Sequence, residues 1–393
     1  MVSVRTGLDS WVALDFRPLR GRRVGAIVNP TSVDRTFRHL ADLLATAEGV
    51  RLVSLFGPEH GVRGEAQYLE PVAAATDART GVPVHSLYGS TVESLRPRRE
   101  WLDGLDVVVF DVQDVGARYY TYLATMSLAL EACAAAGVAF VVLDRPNPIG
   151  GEVVEGNHVG ERFRSFVGLH DIPARHGMTA GELARLLNGE LGWGADLTVV
   201  PCQGWSRRMR WGDTGLHFIP PSPNMPTPDT ALVYPGMCLL EGTNLSEGRG
   251  TCRPFEQLGA PWLDAPGLAE ALTRMKLPGL AVRPAHFIPT FDKHQGRSCA
   301  GVFLHVIDAG AFRPVRTGLA AVIAARRLAP GEFAWRSEAY EFITDVPAFD
   351  LLAGTDAVRL AVEAGAPFPE VARLLDDGAE AFLERRRPHL LYA

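Results

Sequence analysis

Lysine is almost missing from this chain of 393 residues; Lys276 and Lys293 are the only two, and arginine supplies the remaining cationic charge. The formal net charge is -6, which gives no electrostatic footprint for nucleic acid or an anionic membrane surface. Cysteine is scarce too. Cys133, Cys202, Cys238, Cys252 and Cys299 are odd in number and far apart with no C-x-x-C pair, so neither a disulfide framework nor a zinc site is signalled. Their expected state is reduced and mostly buried. No run approaches the roughly 18 apolar residues of a membrane span, and the first fifteen residues lack a basic start followed by an apolar stretch. The chain as written is therefore expected to be soluble, unexported and cytoplasmic.

The nucleotide fingerprints are absent as well. The first strand runs into Asn29-Pro30-Thr31-Ser32 instead of G-x-G-x-x-G, and no G-x-x-x-x-G-K-[ST] occurs. The Gly-rich stretch from Glu241 to Thr251 lies outside the strand–helix context of a phosphate loop and reads as a substrate-facing loop. No G-x-S-x-G nucleophile elbow exists, and the histidines are scattered, His170 and His176 sharing no helix face. No metal and no cofactor are expected.

What the chain does contain is a regular alternation of short apolar runs and helical patterns. Val24–Val28, Leu52–Phe56, Val82–Leu87, Asp106–Phe110, Val138–Leu143 and Leu197–Val200 read as buried strands, and Phe37, Leu40, Leu43 and Leu44, then residues 119–136 and 179–191, read as helices between them. This predicts an α/β fold with a Rossmann-like, doubly wound, mostly parallel sheet. From Phe218 the texture changes to a proline-crowded segment, and a smaller α+β domain is expected over residues 226–393, after a catalytic domain over 1–225. Strands near 281–287 and 299–307 and helices near 314–327 and 369–386 belong to it.

In a parallel sheet, Asn29, Glu59, Asp111 and Asp144 all stand at C-terminal strand ends, where open α/β sheets bind ligands. An aspartate there also makes a good N-cap for the next helix, which is the plainer reading of Asp111 or Asp114. With His60, Gln113, Arg118 and Tyr122, however, the strand ends suggest a polar crevice for a hydroxylated ligand. Paired carboxylates of this kind suit glycosidic cleavage; a sugar-binding protein without catalysis would need the same crevice.

Several long motifs then carry a resemblance. Leu55-Phe56-Gly57-Pro58-Glu59-His60-Gly61, Val109-Phe110-Asp111-Val112-Gln113-Asp114-Val115-Gly116, Leu143-Asp144-Arg145-Pro146-Asn147-Pro148, Arg175-His176-Gly177-Met178-Thr179, Pro221-Ser222-Pro223-Asn224-Met225 and Glu241-Gly242-Thr243-Asn244 are similar to those of the NamZ-type exo-β-N-acetylmuramidases. The resemblance implies a two-domain enzyme that removes N-acetylmuramic acid from the non-reducing end of peptidoglycan fragments. It implies Glu59 as the catalytic acid, Asp111 or Asp114 as a second carboxylate, and Asp144, Asn147, His176, Asn224, Glu241 and Asn244 among the substrate contacts. Arg63, Arg118, Arg145 and Arg249 are its candidates for the lactyl carboxylate of muramic acid, because a guanidinium binds a carboxylate through two hydrogen bonds. One stretch, Gln67-Tyr68-Leu69-Glu70, departs from the small residues usual in the family after Arg63-Gly64.

Overall fold

A computed structural model of the chain describes residues 3–64, 75–89 and 91–393; the departing stretch Gln67–Glu70 lies outside the described residues. Seven strands form the larger sheet: β1 (Arg23–Val28), β2 (Arg51–Gly57), β3 (Ala75–Thr76), β4 (Pro83–Ser86), β5 (Val107–Asp111), β6 (Ala139–Leu143) and β7 (Leu197–Val200). Their order is β3-β4-β2-β1-β5-β6-β7, parallel throughout except for β3, which pairs antiparallel with β4 at the edge. Without β3 this is the order of a doubly wound dinucleotide-type sheet, reversing direction between β1 and β5.

Burial on both faces explains why these strands read as unbroken apolar runs. Val107 to Asp111 is buried at every position. One face packs against the helices Gly7–Val12 and Leu40–Thr46, and the other against Thr121–Ala136 and Ala180–Glu190. Thr121–Ala136 is apolar around most of its circumference because it runs through the centre of the molecule, with Met126, Ala129 and Leu130 wholly inaccessible.

The smaller domain is built on an antiparallel sheet, β8 (Gln257–Ala260), β9 (Leu280–Phe287) and β10 (Cys299–Val306), with β10 in the middle; the helix Ala265–Arg274 packs on β9 and β10, and Pro314–Leu328 packs against that helix. The apolar core continues from the large sheet into this region. The C-terminal residues return to the first domain, where the Tyr392 hydroxyl donates to Asp144 at 2.5 Å and Arg386 donates to the carbonyls of Gly151 and Gly177.

Several element boundaries differ from the sequence reading for local reasons. Phe37 is exposed with φ +63°, and the helix begins only at Leu40, where the His39 ring accepts from the Ala41 N–H. The single helix expected over 369–386 is two, Phe368–Asp376 and Ala379–Arg386, broken at Gly378 with φ +99°. The helix Pro228–Met237 was hidden by its internal Pro235. Four of the cysteines are buried and Cys252 is exposed, all as free thiols.

Candidate active site

The strand β2 ends in a tight turn. The Gly61 N–H donates to the Pro58 carbonyl at 3.0 Å, and His60 has φ +72° at a position that a type II turn reserves for Gly or Asn. A non-glycine residue held there costs on the order of 1–3 kcal/mol and is a mark of functional sites. The turn pushes Glu59 over the first turn of the helix Thr121–Ala136, where the Thr121 hydroxyl donates to Oε2 at 2.9 Å. The other carboxylate oxygen lies 3.9 Å from Nε2 of His60.

Glu59 opens into a cleft of about 510 Å³ between the C-terminal edge of the sheet and the smaller domain. Tyr119, Tyr120 and Tyr122, with Ser222 and Asn224, form the near wall; Glu241, Arg249, Phe255, Tyr340 and Glu341 form the far one. The Tyr122 hydroxyl donates to the Pro221 carbonyl at 2.5 Å and so fixes the proline-crowded segment that carries Ser222 and Asn224.

On the far wall, Glu241 accepts from Arg249 at 2.8 Å and from the Tyr340 hydroxyl at 2.8 Å. Burial acts to raise its pKa, but the Arg249 guanidinium, the Tyr340 hydroxyl and the charge of Lys293 together outweigh this and hold the carboxylate below its ordinary range. Arg249 is also paired with Glu247 at 3.2 Å, and Glu247 with Lys293 at 2.9 Å. One of the two lysines is thus fixed behind the cleft.

Six sequence-predicted site residues meet in the cleft: Glu59, His60, Tyr122, Asn224, Glu241 and Arg249. The others lie elsewhere. Asp111, expected as a second carboxylate, is fully inaccessible and is held by Arg145 at 2.6 and 3.0 Å. Asp114, the other such candidate, is buried, accepts from the Gly116 N–H and lies 3.4 Å from Nε2 of the buried His176; it does not line the cleft.

Asp144 is surrounded by donors, Thr179 Oγ1 at 2.7 Å, the Gly181 N–H at 2.9 Å and Tyr392, while burial pushes its carboxyl up to about 6. Asn29 and Gln113 bond within the strand-end loops, Asn29 Oδ1 accepting from Thr31 and Gln113 Nε2 donating to the carbonyls of Asp114 and Pro146. Asn147 donates to the Met178 carbonyl, and Asn244 ties down the segment at 332–334. At the reversal point of the sheet these side chains bond largely to one another, and Gln113 and Arg145 line a second, separate pocket with Asp9, Thr31, Asp34 and Trp211.

Among the arginines, Arg63 is paired with Asp42 and Asp77 at 2.7 and 3.0 Å. Arg118 is buried and donates to the carbonyls of Asn157, Ile172 and Leu352, linking the two domains. Only Arg249 of the four candidates lines the cleft.

The sequence reading missed Tyr340 and Glu341. Tyr340 and Ile343 exchange both backbone hydrogen bonds, 3.0 and 2.9 Å, around Glu341 at φ +44° and Phe342 at φ +71°. That is a two-residue type I′ turn, a conformation that favours Asn-Gly, occupied here by Glu-Phe. Nothing local announced the turn, because Glu-Phe between apolar neighbours carries none of the Gly, Asn, Asp or Pro that mark one.

Two family models cover the chain, the N-terminal domain of exo-β-N-acetylmuramidase NamZ over residues 24–229 and the C-terminal domain over 232–392. The peptidoglycan β-N-acetylmuramidase NamZ of Bacillus subtilis (strain 168) is 44% identical over 99% of this chain and 91% of its own length. Two crystal structures of DUF1343 family proteins from Bacteroides fragilis superimpose on the fold. One has a TM-score of 0.90 at 36% identity with all of both chains covered, the other 0.78 at 30% with 99% of each. The chain belongs to the NamZ family of exo-β-N-acetylmuramidases.

Proposed function

We propose that this protein is a glycosidase that releases N-acetylmuramic acid from the non-reducing end of peptidoglycan fragments. The observation that carries the reading is Glu59, a carboxyl group held by Thr121 inside a tyrosine-lined cleft and faced by further carboxyl groups from the smaller domain. Carboxyl groups on two sides of an enclosed sugar ring are what glycosidic cleavage requires. The tyrosines offer ring faces and hydroxyls to a pyranose, and Asn224 offers an amide to its acetamido or hydroxyl groups.

Release of free N-acetylmuramic acid from MurNAc-GlcNAc, but not from the reversed disaccharide GlcNAc-MurNAc, is the expected result. Binding of MurNAc-GlcNAc with no release would favour a sugar-binding protein without catalysis.

Arg249 is the group proposed for the lactyl carboxylate, the feature that separates muramic acid from glucosamine. A charge-assisted hydrogen bond contributes about 1.5–3 kcal/mol, so Arg249→Lys, which keeps the charge but loses the fork, should raise KM for the MurNAc substrate roughly tenfold or more. The small activity, if any, toward a GlcNAc analogue should not change in parallel. An equal effect on both substrates would assign Arg249 to the Glu241–Glu247 network alone.

A further inference from the structure

Building on the proposed activity, we propose that Glu341 is a catalytic carboxyl of this site and the proton donor to the glycosidic oxygen, leaving Glu59 to act on the C1 side of the bond. This reverses the role that the family resemblance suggests for Glu59.

The geometry is specific. Glu341 sits at the first central position of the type I′ turn, with the left-handed Phe342 after it, and the turn delivers the carboxyl group into the cleft opposite the strand-end acid. The Tyr88 hydroxyl, 3.5 Å from Oε2, holds its outer side. The Tyr88 ring lies against Phe342 and Phe166, with centroids 6.4 and 6.0 Å apart, so the turn is fixed by packing despite its backbone.

A strained turn that places an acid beside other acids has no stabilising purpose, and such strain persists where function retains it. Among the described residues, the titratable and charged groups facing Glu341 are Glu59 with its neighbour His60, Glu241 with Arg249 and Tyr340, and Tyr88. Arg249 is engaged by Glu241 and Glu247, and among the described residues no arginine or lysine lies within ion-pair distance of Glu59 or Glu341.

Burial, reinforced by the charges of Glu59 and Glu241, pushes the Glu341 carboxyl up to about 8. It therefore carries its proton at neutral pH, as a general acid must. In the reaction that proton passes to the glycosidic oxygen. The C1–O bond breaks with its electron pair leaving on that oxygen, which departs as the hydroxyl of the aglycone. Water supplies the hydroxyl that C1 gains and the proton that returns to Glu341.

The test compares MurNAc-GlcNAc with 4-nitrophenyl β-N-acetylmuramide, whose phenolate leaves without protonation. For Glu341→Gln, kcat/KM on the disaccharide should fall at least 100-fold while the aryl substrate stays within about tenfold of wild type, consistent with the contribution of a general acid. In the wild type, disaccharide cleavage should decline as pH rises through about 8, and Glu341→Gln acting on the aryl substrate should lack that decline. The variant Glu341→Asn relieves the left-handed first position of the turn and keeps the Phe342–Tyr88 contact; it should melt no lower than wild type and still fail on the disaccharide, which separates lost chemistry from lost folding. Near wild-type disaccharide cleavage by Glu341→Gln, or equal losses on both substrates, overturns the assignment. A wild type inactive on both substrates would instead overturn the activity on which it rests.

Discussion

Glu59→Gln should lower kcat on MurNAc-GlcNAc by about 10³-fold, within the 10²–10⁴ typical for a carboxyl group taking part in the bond-breaking step, and leave KM within a few-fold. The replacement keeps the shape of the side chain and an oxygen that can accept from the Thr121 hydroxyl, so the turn at the end of β2 and the helix start need not move. What it removes is the capacity to ionise. Calorimetry of the variant with MurNAc-GlcNAc should still record binding, because the tyrosine wall and Arg249 are untouched. A variant that loses binding along with turnover would make Glu59 a substrate contact rather than a chemical participant. Retention of turnover would remove it from the mechanism. The phenotype should also differ from that of Glu341→Gln: a leaving group that needs no proton should not rescue a residue acting on the C1 side.

The second large effect concerns stability and lies away from the cleft. Replacing a helical glycine by alanine ordinarily gains up to about 1 kcal/mol. At Gly236 the sign should reverse. A Cβ there would lie 1.7 Å from the Pro314 carbonyl oxygen, and one on Gly318 would lie 2.0 Å from the Gly236 carbonyl oxygen, so the helices Pro228–Met237 and Pro314–Leu328 cross with backbone against backbone. No side chain can rotate away. The helices must separate, opening a buried contact on both sides, and a loss of about 3 kcal/mol or more is expected for Gly236→Ala, at the upper end of the overpacking range. Denaturant titration measures it directly, and a variant as stable as wild type would disprove the close crossing. Because Pro228–Met237 runs straight into the turn Cys238–Gly242 that carries Glu241, the same variant should also weaken Arg249-dependent binding.

The sequence by itself determined the architecture. Parallel strands buried on both faces must be runs of apolar residues, and the Gly, Pro and Asn residues that end them are local signals, so the order of strands and helices and the edge bearing Glu59 were legible without any long-range information. The motif around Glu59 was legible for the same reason, since a strand, a strained turn and an acid are contiguous in the chain.

Only the tertiary structure decided which strand-end residues open on the cleft. Asn29, Asp111 and Asp144 look equivalent to Glu59 in the sequence. In the fold, however, Asp111 meets Arg145, Asp144 meets Thr179 and Tyr392, and Asn29 closes on Thr31. Buried polar groups must find partners, and these partners come from distant segments that no local pattern identifies. The same holds for the arginines, of which packing left one at the cleft. Glu341 was out of reach of the sequence for a deeper reason: its place opposite Glu59 depends on how one domain docks on the other, and that docking is set by side-chain complementarity across the shared core, which hydrophobic periodicity does not encode.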